Sequence, residues 1–468
     1  MRHWISGLIA TLLAASLLSI VTAQGAHGAP ADDDIVAKLK TIPGLTILSQ
    51  ESVSGYQFFM LSFIQAIDHR HPSKGTFSQR LSLLHKSTDR PMVLQTTGYN
   101  VPEYAFKSEP TAIIDGNQIS VEERFFTPSR PDPANWSDLN IWQAATDHHT
   151  IVQAFKRIYP QKWISTGASK GGMATVYHRR YYPNDVAGSV PYVAPNDVNN
   201  DADSAYDTFF KHVGTDASCR TALENVEKAA LQRRGTLAPK YAQWAADNGY
   251  TFTRVMGTAD RAWESEVISA EWAFWQYSLQ SDCSEVPAPT ASDEDILTFI
   301  DLTSGLVSGT DQGLEPYFPY YFQAATQLGW PTLDVPFLHG LLRYNVQPAN
   351  AALPPELRRP YRGYLAMYDI DHWVRTDASK LLFVYGQNDP WGAEPFRLGR
   401  HPHDSYSYQV AGYNHGSDIS LLPSAQQTAA TATVQRWAGV SAPSVTVQTR
   451  TANYVPVTND PLPIRVLI

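Results

Sequence analysis

Short apolar runs separated by turns dominate the first third of the chain. GYQFFMLSFIQAID (55–68) and TFSQRLSLLHKS (76–87) are joined by a turn of His, Pro, Lys and Gly, and read as two strands. RPMVLQTTGYN (90–100) is a buried strand followed by a glycine turn, and NQISVEERFF (117–126) is a further strand candidate. A polar lead-in over 30–45 ends in helix-like IVAKLKTI. The period then changes. In WSDLNIWQAATDHHTIVQAFKRIY, the residues Leu139, Trp142, Ala145, Ile151, Ala154, Phe155 and Ile158 fall roughly on one face of a helix. WISTGA and VAGSVPYVAP follow as strands on either side of another helical stretch. Such alternation of β and α argues for a mostly parallel sheet.

After about residue 200 the alternation stops. TALENVEKAALQRRG, APKYAQWAADNG and WESEVISAEWAFWQYSLQ are rich in helix formers, and 285–365 adds helical and Pro-rich pieces. Strand–helix alternation resumes with SKLLFVYGQND, YSYQVAGYNHGS and the helix-like LLPSAQQTAATATVQRWAG. The Val/Thr-rich tail from 442 reads as a strand or extended segment.

The chemistry is concentrated at the strand WIST. It runs into Gly167-Ala168-Ser169-Lys170-Gly171, a G-x-S-x-G, and a helical segment follows. Strand, sharp turn and helix in that order form the nucleophile elbow of α/β-hydrolases, with the serine hydroxyl held above the sheet. Small residues must flank the serine because its backbone is strained. The expected fold is therefore an α/β-hydrolase core over 30–200 and 366–468, with a mostly helical cap over 201–365 inserted between nucleophile and acid.

A nucleophilic serine needs a base, and the base an orienting acid, in the chain order Ser, Asp/Glu, His. The strand LLFVYG leads into Gln387-Asn388-Asp389, and the next strand leads into Ala411-Gly412-Tyr413-Asn414-His415-Gly416. Asp389 and His415 are the candidate acid and base. Asp369, Asp371, Asp377, Asp404, His372, His401 and His403 are rivals that do not follow two successive strands as well. The oxyanion hole needs two donors. These are assigned to the Lys170 N–H and to the loop Thr97–Tyr99, where the Tyr99 hydroxyl is a further possibility.

Composition then narrows the class. The net charge is −9 and no basic stripe is visible, which argues against nucleic acid as a partner. Arg2 and His3, the apolar run from Trp4 to Val21 and the small residues Val21-Thr22-Ala23 read as a signal peptide over 1–23. No second long apolar run follows, so the expected product is exported, free of the membrane and monomeric. The two cysteines, Cys219 and Cys283, most simply pair with each other in an exported chain. The bridge would close a loop of about 64 residues and contribute on the order of 3–4 kcal/mol. Neither has a zinc-type neighbourhood, so no metal is inferred, and a Ser-His-Asp mechanism needs no cofactor.

STGASKGGMATVYHRRYYPNDVAGSVPYVAPND (165–197) closely resembles the elbow region of the secreted bacterial prolyl tri/tetrapeptidyl aminopeptidases, and the similarity extends through YGQNDPWGAEPF and GYNHGS. FSQR, EERFF and YYFQAATQLGW are more weakly similar to lysosomal Pro-Xaa carboxypeptidases and dipeptidyl peptidases. Carried over by position, the family's triad falls on Ser169, Asp389 and His415. The resemblance implies release of tripeptides, and also tetrapeptides, from free N-termini, with proline favoured before the cut. An esterase or lipase on the same scaffold is the alternative, since fold does not set substrate.

An aminopeptidase must bind an ammonium group, which a shielded carboxylate does economically. The candidates are Glu122 and Glu123 near the core, and Glu264, Glu266 and Glu271 in the cap. Trp272, Trp275, Phe318, Tyr320 and Trp391 are candidate walls for a proline pocket.

Overall fold

The computed structural model describes residues 35–440 and the backbone of 454–456, so the expected signal peptide and most of the tail lie outside the described residues. The strands, in chain order, are β1 (Leu45–Val53), β2 (Tyr56–Ala66), β3 (Thr76–His85), β4 (Met92–Thr96), β5 (Phe106–Ser108), β6 (Asn117–Val121), β7 (Trp163–Ala168), β8 (Gly188–Tyr192), β9 (Leu382–Gly386) and β10 (Tyr406–Val410). All but β5 join one sheet in the order β1-β2-β3-β6-β4-β7-β8-β9-β10. β5 pairs with the short strand β11 (Tyr454–Pro456) instead. The first four strands of the sheet are mutually antiparallel, and β6 through β10 are parallel.

Burial explains this arrangement. β4, β6, β8 and β9 are buried at every residue, as parallel strands covered on both faces must be. The period of two then sorts each strand between the two layers. Met92 and Leu94 face a layer with Ile151, Val152 and Phe155 of the Ile141–Phe155 helix, whereas Val93 faces Ile113, Val434 and Trp437 on the other side. At β9, Phe383 and Tyr385 pack with Met173, Val176 and Ile370, and Leu382 and Val384 pack with Ala430 and Val434. Each fully buried side chain of this size contributes roughly 1.5–3 kcal/mol.

Between β8 and β9 no strand is added to the sheet. That stretch is helical, with Ser204–His212, Ala217–Gln232, Arg234–Asp247, Ala259–Ile268, Ala270–Tyr277 and Asp293–Thr303 as its longer helices. Their apolar faces form a separate core around Trp263 and Trp275, seated on Phe125, Phe126 and Leu139 of the sheet domain. A disulfide joins Cys219 to Cys283 across this layer, with Cα atoms 5.5 Å apart.

Two elements differ from the sequence reading. β1 went unseen because six of its nine residues are exposed and it pairs on one side only, so no apolar run marks it. The strand expected over 117–126 stops at Val121, and Phe125, at a positive φ of 73°, lies in a local turn closed by its N–H to Ser129 O (2.8 Å).

Candidate active site

β4 and β7 are adjacent and parallel, but the chain leaves them in opposite directions, to β6 and to β8. The crevice above such a switch point is where open α/β sheets place their ligands. Two loops meet there, one after β4 and one after β7.

The second carries Ser169, at φ 56° and ψ −128°, a strained conformation for a residue with a side chain. The surroundings over-determine it. Ser169 donates its N–H to Tyr192 O of β8 (3.0 Å) and accepts from Met173 N at its carbonyl (3.0 Å). At Gly171 an added Cβ would fall against Thr96 O and 2.8 Å from Thr97 O, so the helix starts in van der Waals contact with β4. Gly98 completes the contact. Its φ is +74°, and a Cβ there would lie 2.5 Å from Gly171 N and 2.8 Å from Lys170 C.

The Lys170 N–H opens the helix and has no intrahelical acceptor. Its side chain folds back, donating from Nζ to Gly98 O (2.7 Å) and pairing with Glu123 Oε1 (3.3 Å). Burial pushes this amine below the ordinary lysine range. Tyr99 differs from the expectation in one respect. Its backbone N–H donates to Thr97 Oγ1 (3.2 Å) and is not free. The buried phenol has no hydrogen-bond partner, and Ser169 is near enough to act on its ionisation. Burial, the larger effect, holds that phenol well above the ordinary tyrosine pKa.

Asp389 follows β9 and His415 follows β10, and the two meet. His415 Nδ1 lies 2.7 Å from Asp389 Oδ2, and Asp389 Oδ1 accepts from Trp391 N (3.0 Å). Asp389 is fully buried. His415 Nε2 is buried with no hydrogen-bond partner, so the bond to Ser169 is not formed here. The loop itself is tied to the helical layer, through His415 N to Gln276 O (3.1 Å) and Asn414 Nδ2 to Ser278 O (3.0 Å).

A cleft of about 920 Å³, counting space open to solvent, is lined by Trp272, Trp330, Trp391, Tyr321 and Glu266 among others. Trp391 bridges acid and cleft, since its ring packs on Trp272 (4.8 Å) and Trp330 (5.6 Å). Of the candidate walls, Trp272 and Trp391 line this cleft. Trp275 and Phe318 instead belong to the interior of the helical layer, while Tyr320 packs on Tyr99 (5.5 Å) and Trp330 (5.8 Å). Trp330 and Tyr321 were missed as walls, although both lie in the YYFQAATQLGW segment singled out above.

Glu122 and Glu123 are not placed to take a substrate amine, and that expectation is corrected. Arg80 grips Glu122 (2.6 Å), and Val101 N (3.0 Å) and Ser129 Oγ (2.8 Å) also donate to it. Glu123 is taken by Lys170. In the cap, Glu264 is paired with Arg234. Glu271 lies outside the cleft, where its N–H donates to the Glu227 carboxylate (2.7 Å); burial, with Glu224 nearby, pushes its carboxyl up to about 8. Glu266 is left: it lines the cleft, and burial followed by Asp301 pushes its carboxyl well above the usual carboxylate range.

The parallel sheet, the strained serine at its switch point and the interposed helical layer define an α/β-hydrolase. The chain matches the PS-10 peptidase S37 family over residues 28–461 and belongs to that family; it is a serine peptidase. It is 50% identical over 445 residues to a prolyl tri/tetrapeptidyl aminopeptidase of Streptomyces mobaraensis, covering 93% of this chain and 92% of the relative. Among solved structures, a proline iminopeptidase of Mycobacterium smegmatis aligns with a TM-score of 0.35 and 12% identity over 83% of this chain and 99% of that one. Epoxide hydrolase A of Mycobacterium thermoresistibile aligns with a TM-score of 0.32 and 11% identity over 84% and 98%.

Proposed function

We propose that this protein is an exported serine peptidase that releases tripeptides, and also tetrapeptides, from free N-termini, with proline favoured before the scissile bond. The observation that carries the reading is the buried His415–Asp389 pair, whose Nε2 is left without a hydrogen-bond partner. The name of the half-identical Streptomyces relative supports the substrate class.

In this reading His415 Nε2 takes the Ser169 proton as the hydroxyl attacks the scissile carbonyl. Asp389 holds the tautomer with the proton on Nδ1 and stabilises the imidazolium. The oxyanion forms against the Lys170 N–H, with the Tyr99 hydroxyl as second donor in place of its occupied N–H. His415 then protonates the leaving amine, and water resolves the acyl-enzyme. The layer over 201–365 acts as a cap that closes the crevice and supplies the aromatic wall.

Two measurements test this. Ser169→Ala is expected to lower turnover about 10⁶-fold, and a substantial residual rate refutes the nucleophile. Ala-Ala-Pro-anilide, offered with a free and a blocked N-terminus beside a p-nitrophenyl ester, separates the peptidase from the esterase alternative. Cleavage of the ester but not the free peptide refutes the exopeptidase reading. N-terminal sequencing of protein from the medium locates the export cleavage, expected after Ala23.

A further inference from the structure

Resting on that exopeptidase reading, we propose that Glu266 binds the α-ammonium group of the substrate. Two independent observations converge on this residue. The first is position. Glu266 lines the same cleft as Trp272, Trp330 and Trp391, and Trp391 is hydrogen-bonded through its backbone to Asp389. The cleft is therefore walled by a residue bonded to Asp389, and Glu266 stands among its lining residues with Ser265, Ser269, Ser304 and Ser308.

The second is the lack of a counter-ion. Among the described residues, no hydrogen bond or ion pair reaches the Glu266 carboxylate, although the residue is 5% exposed. A buried carboxylate is normally paired, because leaving it alone is costly. Glu122, Glu123 and Glu264 follow that rule, each against an Arg or Lys. The groups that face Glu266 from neighbouring helices are Asp301, Tyr241 and Tyr321, none of them a cation. The Tyr241 hydroxyl is already committed to Leu306 O. A cation is what this position lacks, and the substrate brings one. Its arrival offsets the burial and the Asp301 repulsion that otherwise favour the protonated acid.

The test is the ratio of kcat/KM for free against N-acetylated Ala-Ala-Pro-anilide, in wild type, Glu266→Gln and Glu266→Asp. Wild type favours the free amine. Glu266→Gln is expected to lower kcat/KM for the free peptide about 100-fold, mostly through KM, so that the ratio collapses toward one. Glu266→Asp keeps the charge and should retain part of the preference. Thermal melting separates a structural role: Glu266→Gln replaces a carboxyl that burial keeps protonated with a neutral amide of similar shape, and should leave Tm unchanged. A lowered Tm with the ratio intact overturns the proposal. If wild type prefers the free amine and Glu266→Gln keeps that preference, Glu266 is not the anchor. If wild type shows no preference, the exopeptidase reading itself fails. Should Glu266→Gln not fold, Glu266→Asp decides: a reduced but surviving preference for the free amine supports the anchor, and an unaltered preference refutes it.

Discussion

Gly98→Ala is the sharpest probe of how the two loops of the crevice are assembled. Gly98 sits at φ +74°, where an alanine costs about 1–2 kcal/mol in backbone strain. Its new methyl would also lie 2.5 Å from Gly171 N and 2.8 Å from Lys170 C, both backbone atoms at the start of the elbow helix. Neither can swing aside as a flexible side chain would. Overpacking of this kind adds roughly 1–3 kcal/mol, so the expected loss is about 2–5 kcal/mol. Gly55 is the control. It has φ +82° in the turn between β1 and β2, and nothing lies within 4 Å of an added Cβ. Gly55→Ala therefore carries the backbone strain alone, and the change in unfolded-chain entropy is common to both variants.

Activity should separate them further. Relief of the Gly98 overlap must move either the Tyr99 loop or the Ser169 elbow, and displacements approaching 1 Å near reacting groups cost about 100-fold. Urea denaturation and kcat/KM on Ala-Ala-Pro-anilide are the assays. Gly55→Ala should lose stability without losing rate. If Gly98→Ala matches it in stability within about 0.5 kcal/mol and keeps more than half of kcat/KM, the packed contact between loop and elbow is refuted.

Tyr99→Phe should reduce kcat on the peptide anilide about 100-fold, the usual loss for one oxyanion donor; an unchanged rate removes the phenol from that role. Asp389→Asn should lower kcat about 10⁴-fold with the fold intact by circular dichroism, and a loss under tenfold would mean that Asp389 does not orient His415. Stability should fall as pH rises from about 5 to 8: burial first of all raises Glu109, Glu271 and Asp197 to about 8 and Glu394 to about 7, and raises Glu227 and Glu266 as well, so the folded state keeps protons that the unfolded chain has released. Burial lowers His148 to about 3 and lowers His178, which opposes this trend only below about pH 6.5; a melting temperature higher at pH 8 than at pH 5 refutes the balance.

What the sequence disclosed and what it withheld follow from the range of the forces involved. The elbow is a local structure, because Ser169 is strained by its immediate neighbours and the glycines that allow it are adjacent in the chain. The pairing of Asp389 with His415 was legible for a related reason: the two follow neighbouring parallel strands, which deliver their following loops to one end of the sheet. β1 was illegible because an exposed edge strand has no apolar period to detect. The occupied Tyr99 N–H depends on a threonine rotamer two residues away, which no pattern encodes. Five glutamates looked equivalent as amine ligands; which of them meets Arg80, Lys170 or Arg234 is decided by tertiary contacts between distant segments. Trp330 and Tyr321 were passed over because irregular and short helical pieces bring them to the cleft, and these carry no periodic signal.

The same contacts bear on whether the helical layer is a passive lid. Its Ala270–Tyr277 helix does two things at once. Trp272 walls the cleft and packs on Trp391, whose N–H steadies Asp389. Four residues on, Gln276 O accepts the backbone N–H of His415 itself. One rigid helix therefore fixes the aromatic wall, the acid through Trp391, and the base through its main chain. A lid that merely covered the crevice could be lifted with Asp389 and His415 left in place; here lifting that helix strips His415 of a backbone bond and Trp391 of its packed neighbour Trp272. A peptide pressing on Trp272 bears on the element that aligns the imidazole, so filling the cleft and positioning the base are coupled through a single short segment of chain.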